Sequence, residues 1–87
     1  MRLNRASMVF PREVLNKLKW HDDQLDRAVI TYLHRGAPGD RMTIQGSAIV
    51  RLERSFFVTA ESRIPYHRIR LIEIDGKILY QERTENK

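Results

Sequence analysis

The sequence contains no cysteine, which excludes disulfides, a thiol nucleophile and any Cys-ligated zinc. Long hydrophobic runs are missing as well: the apolar stretches are a few residues each, Val29–Ile30 among them, and none can span a bilayer. The start Met1-Arg2-Leu3-Asn4-Arg5 is not followed by an apolar segment, so no signal peptide is legible. Internal repeats, linkers and low-complexity tracts are absent too. The 87 residues, 41 % hydrophobic and 31 % charged, make an ordinary globular mixture with chain enough for one core. The expectation is a single cytoplasmic domain over residues 11–83 without a membrane partner, with flexible ends at 1–10 and 84–87.

Acidic residues are the minority. Eleven stand against sixteen basic ones, for a net charge of +5, and twelve of the sixteen are arginine. The guanidinium fork binds phosphate bidentately and stacks on bases, where lysine acts as a point charge. A small domain with pI near 10.1 fits a polyanion, foremost nucleic acid. A solvated basic surface is the plain alternative.

Pro11 opens a short helix to about Lys19, with Glu13 at its positive end and Lys17 and Lys19 at the other. Val14, Leu15 and Leu18 form its apolar stripe. Trp20 lies off that stripe and is expected to pack as a core anchor just after the helix ends. A strand follows over Arg27–His34, apolar on both faces and therefore central: Ile30, Tyr32 and His34 share one face, Val29, Thr31 and Leu33 the other. Arg35-Gly36-Ala37-Pro38-Gly39-Asp40 is a turn. Met42-Thr43-Ile44 resumes as strand until Gly46, Ala48–Leu52 is strand or helical turn, and Phe56–Thr59 is strand. Ile64, ahead of Pro65, is extended. Asp75-Gly76 between β-rich runs predicts a two-residue hairpin turn pairing Ile74 with Lys77, Ile72 with Leu79 and Leu71 with Tyr80. That register puts Arg68, Arg70, Gln81 and Arg83 on one face. The fold expected is α+β, an N-terminal helix on a small, mostly antiparallel sheet that can curl into a half-barrel.

Two of the three histidines precede an arginine directly, in His34-Arg35 and His67-Arg68. Each pair stands beside a proline-containing segment at a strand end, where functional groups gather on rigid scaffolds. Gly36 and Gly39 let backbone N–H groups approach an anion, and Tyr32 and Tyr66 offer phenol walls. If the two turns meet, they make a phosphate-binding composition. The competing structural reading has each histidine bonding a backbone carbonyl and Asp40 closing its turn. His34, His67 and Asp40 lack zinc-ligand spacing, and Gly36-Ala37-Pro38-Gly39 lacks the lysine and helix of a nucleotide phosphate loop. No metal and no cofactor are expected. Two histidines beside arginines can also cleave RNA without metal, one as base and one as acid.

Several segments occur together in order: Val14-Leu15-Asn16-Lys17-Leu18-Lys19-Trp20, Tyr32-Leu33-His34-Arg35-Gly36-Ala37-Pro38-Gly39-Asp40, Ile44-Gln45-Gly46, Ser55-Phe56 and Ile64-Pro65-Tyr66-His67-Arg68-Ile69. From about Glu13 to Arg83 the chain resembles the mostly archaeal RNA cyclic group end recognition domain, long known as an uncharacterised protein family. The resemblance implies a module in RNA processing or repair that binds RNA ends carrying a 2′,3′-cyclic phosphate or a related phosphate. It carries over to His34, Arg35, Gly36, Asp40, Tyr66, His67 and Arg68. In that reading Arg35 and Arg68 neutralise the phosphate, His34 and His67 donate to it, and Tyr66, with Tyr32 second, stacks on the terminal base. Arg70 and Arg83 follow the upstream phosphates. An RNA-end phosphoesterase or ligase acting in trans is the implied protein partner. Two other classes stay open: a metal-independent ribonuclease or cyclic phosphodiesterase using His34 and His67, and a protein-interaction module of RNA metabolism.

Overall fold

Pro11 sits where a helix loses nothing by lacking an N–H, and a computed structural model, which describes residues 10–82, begins α1 there (Pro11–Trp20). The Phe10 carbonyl accepts from the N–H groups of Glu13 and Val14 at 3.0 and 3.2 Å. Leu15 and Leu18 are buried and Val14 half-buried, as the stripe requires. Trp20 corrects the expectation made for it. The helix runs through Trp20, which places the indole nearly opposite the stripe, 70 % exposed, with Lys19 Nζ 5.2 Å from its ring centre. The position off the stripe was a sign of an outward-facing residue, not of an early helix end.

Seven strands follow among the described residues: β1 Ala28–Leu33, β2 Arg41–Gln45, β3 Ile49–Leu52, β4 Phe56–Thr59, β5 Arg63–Pro65, β6 Ile69–Ile74 and β7 Lys77–Gln81. They form two antiparallel sheets, β2-β1-β6-β7 and β3-β4-β5, so the fold is α+β. The antiparallel strands expected from sequence are divided between two sheets, and neither closes into a barrel. Short 3₁₀ turns at Gly46–Ala48 and Tyr66–Arg68 break the chain at both ends of the inserted segment, and that segment pairs with itself. Gly46 permits one break by close approach: a Cβ there would stand 1.8 Å from the Leu25 carbonyl oxygen.

β1 is central, between β2 and β6, as its two apolar faces predicted. Ala28, Ile30 and Tyr32 point into the core, where they meet Ile69, Ile72 and Ile74 of β6, Phe57 of β4 and the leucines of α1. The hairpin forms at Asp75-Gly76, both residues with positive φ, and Ile74 faces Lys77. Beyond that pair the expected register needs correction. A β-bulge takes in Leu79 as an extra residue, so Ile72 pairs with Tyr80 and Leu71 with Gln81. Gln81 therefore shares a face with Leu71 rather than with Arg70, and Arg83 lies outside the described residues. So do the lead-in 1–9 and the end 84–87. No helix among the described residues is long and apolar enough to cross a membrane.

Candidate functional site

Antiparallel pairing decides what the site contains. The C-terminal end of β1 lies beside the N-terminal end of β6, with Tyr32 facing Ile69. The turn that follows β1 and the turn that precedes β6 are thereby brought to the same end of the four-stranded sheet. Between them is a cleft of about 480 Å³ lined by Leu33, Arg35, Asp40, His67 and Arg68. The two histidine–arginine segments do meet.

The β1–β2 turn is held by its own backbone. His34 N–H donates to the Asp40 carbonyl at 2.8 Å, Ala37 N–H to the His34 carbonyl at 3.1 Å, and Asp40 N–H to the Ala37 carbonyl at 2.7 Å. Gly36 has φ +99°, a conformation that side chains rarely adopt. Its N–H donates to Asp40 Oδ1 at 3.3 Å. Asp40 thus closes the turn and lines the cleft at once.

The strand pleat sorts the residues of this turn. Leu33 and Arg35 reach the cleft, while His34 follows Tyr32 to the other side, its ring edge-on to the phenol at 6.3 Å between centres. His34 is exposed but is not part of the cleft lining. The second turn works differently. Three residues of 3₁₀ helix, Tyr66–Arg68, turn Tyr66 inward and leave His67 and Arg68 outward. Arg35 and Arg68 are exposed, and neither they nor His67 take part in an ion pair among the described residues.

Three side chains expected at a ligand serve the scaffold instead. Tyr66 is 7 % exposed, and its hydroxyl donates to the Glu53 carbonyl at 2.6 Å. Tyr32 is 6 % exposed, packs edge-on to Phe57 and donates to Met42 Sδ at 3.9 Å. Neither ring face is open for a base, which corrects the stacking role assigned to both. Burial raises the Tyr66 phenol above its ordinary 10.0, with the Arg12 guanidinium opposing and the Glu53 carboxylate adding to the shift. Arg70 pairs with Glu82 and donates from Nη1 to the His67 carbonyl at 3.2 Å. It clamps the second turn rather than following phosphates away from it. Leu33, not singled out from the sequence, gives the cleft an apolar wall; its alternation with Tyr32 and His34 was the available signal. Among the described residues no group of three or more His, Asp or Glu side chains is placed to hold a metal ion.

The profile of the MJ1316 RNA cyclic group end recognition domain matches residues 8–82. The chain belongs to this family. Its relatives include archaeal proteins designated UPF0248. One from Methanococcus maripaludis (strain C5) is 44 % identical over 77 residues, covering 83 % of this chain and 97 % of the relative. One from Methanococcus vannielii is 41 % identical over 76 residues, covering 82 % and 89 %. One from Thermococcus onnurineus is 37 % identical over 79 residues, covering 87 % and 88 %. No solved structure matches the chain. The family's name concerns RNA ends, and the cleft brings together cationic side chains from two distant segments of the chain.

Proposed function

We propose that this cleft holds the phosphate of a processed RNA end, a 2′,3′-cyclic phosphate first among them. One observation carries the reading: Arg35, His67 and Arg68, from two distant turns, line one cleft with no ion-pair partner among the described residues. Two guanidiniums supply charge-assisted, partly bidentate hydrogen bonds to phosphate oxygens. His67 donates to a phosphate or ribose oxygen, Leu33 packs against the sugar or base, and His34 and Gly36 shape the turn that presents Arg35. Such a module would act in RNA processing or repair, alone or by recruiting an RNA-end phosphoesterase or ligase.

Binding is favoured over two-histidine cleavage because only His67 lines the cleft while the His34 ring leans on Tyr32. General acid–base cleavage needs both imidazoles at the reacting phosphate.

The test is an NMR titration of labelled protein with one short RNA ending in a 2′,3′-cyclic phosphate, an open 3′-phosphate or a plain 3′-hydroxyl. End-selective shifts are expected at Leu33, Arg35, His67 and Arg68, with the RNA recovered unchanged. Arg35→Ala and Arg68→Ala should each weaken binding about tenfold or more, the scale of a lost hydrogen bond to a charged group. Equal weak shifts for all three ends would leave only a basic surface. Ring opening or strand scission would make the protein an enzyme.

A further inference from the structure

Cationic clefts favour the more highly charged ligand, and by that rule a phosphate site with two guanidiniums should prefer an open 3′-phosphate. At neutral pH an open monophosphate carries nearly two negative charges, whereas a cyclic phosphodiester carries one. Asp40 changes this balance. Asp40 lines the same cleft as Arg35, His67 and Arg68. It is fixed there, because its backbone closes the turn through His34 and Ala37 and its Oδ1 accepts the Gly36 N–H. It makes no ion pair among the described residues that would cancel its charge.

We infer that Asp40 is the charge-selectivity residue of the cleft, admitting a singly charged cyclic phosphate and disfavouring a doubly charged open one. This rests on the proposed reading of the cleft as an RNA-end site. The carboxylate repels each charge on the ligand in turn, so it penalises the open end twice and the cyclic end once. The Gly36 N–H, an obvious donor for a phosphate oxygen, is also directed to the carboxylate, which leaves recognition to the side chains of Arg35, His67 and Arg68.

Asp40→Asn tests this with little disturbance. Asparagine has the same shape, keeps an oxygen for the Gly36 N–H, and tolerates the left-handed φ of +57° found at this position. Affinities of the wild-type and variant proteins are measured for one short RNA with cyclic, open 3′-phosphate and 3′-hydroxyl ends. Removing the charge should strengthen binding about fivefold per ligand charge, the scale of unit charges at contact range in a wet site. The cyclic-to-open preference should therefore fall about fivefold at neutral pH. Near pH 5, where the open phosphate is mostly singly charged, the two proteins should show the same preference. Glu61→Gln, at an exposed turn between β4 and β5, is the control for net charge and should leave the ratio alone.

An end-selective wild type whose ratio is unmoved in Asp40→Asn overturns the inference and leaves the proposed function standing. A variant that loses affinity for the open end also overturns it, since the carboxylate would then be accepting the free 2′-hydroxyl. A wild type that binds all three ends equally overturns both readings.

Discussion

Tyr66 joins the two sheets at the point where the second turn begins. Its hydroxyl reaches the Glu53 carbonyl and its ring packs against Phe57 at 6.1 Å between centres. Its backbone leads directly into His67 and Arg68, so the buried phenol sets where those two side chains emerge. Removing the hydroxyl in Tyr66→Phe should cost about 1 kcal/mol of stability. The pH dependence has a definite sign. A phenol is neutral when protonated, and burial raises this one above 10.0. Its contribution is therefore complete below about pH 10 and is lost as pH rises through the raised value. Denaturant midpoints taken from about pH 8 to 11 should fall more steeply for the wild type than for Tyr66→Phe; parallel curves would rule the phenol out as the source. Sequence offered Tyr66 as a stacking wall because an aromatic beside His-Arg suits a ligand equally well. Only the 3₁₀ turn, which faces it inward, separates the two roles.

At the scale of elements, α1 shows what helical periodicity resolves. Val14, Leu15 and Leu18 define the packed face, and the same angle that removes Trp20 from it leaves the indole on the surface. Leu18→Ala should accordingly cost about 2–5 kcal/mol, whereas Trp20→Ala should change stability by about 0.5 kcal/mol or less. Thermal unfolding of the two variants measures both, and a large loss on removing Trp20 would return it to the core. The strands were legible wherever turn chemistry bounds them: Gly36 to Asp40, Gly46 and Asp75-Gly76 all end or join strands as their residues require. The bulges were not. Leu79 in β7, and Arg70 opposite the Thr31–Tyr32 step of β1, are single extra residues set by neighbouring strands. Nothing in a period-of-two pattern marks them. Arg70 at its bulge grips both the His67 carbonyl and Glu82, and so an arginine that reads as a phosphate ligand along the chain becomes a brace beside the cleft.

At the scale of the molecule, a net charge of +5 spreads attraction for polyanions over the surface, while the cleft holds two guanidiniums together. The two contributions differ in salt dependence. End binding of one terminal phosphate through Arg35 and Arg68 should give a plot of log affinity against log salt with a slope near about −0.7, the value for one phosphate contact on a single strand. The Arg35→Ala/Arg68→Ala double variant should lose both end selectivity and most of that slope. A steep slope that survives in the variant would assign binding to the general surface. Composition pointed to a polyanion partner, and the His-Arg pairs marked the two turns that border the cleft. What made them one site, the pairing of β1 with β6 across a long stretch of chain, is a non-local fact that neither turn carries.

The four-stranded sheet also has polarity. The cleft occupies one end, and the Asp75-Gly76 hairpin, where Asp75 pairs with Arg27, occupies the other. The length of β6, six residues, or about 20 Å of strand, lies between them. Because the chain contains no cysteine, Lys77→Cys at that exposed far turn would create a unique thiol for a dye, well away from the cleft. Energy transfer from it to a dye on the opposite terminus of a captured RNA then becomes a compass. It reads whether the strand leaves the cleft along the sheet or away from it.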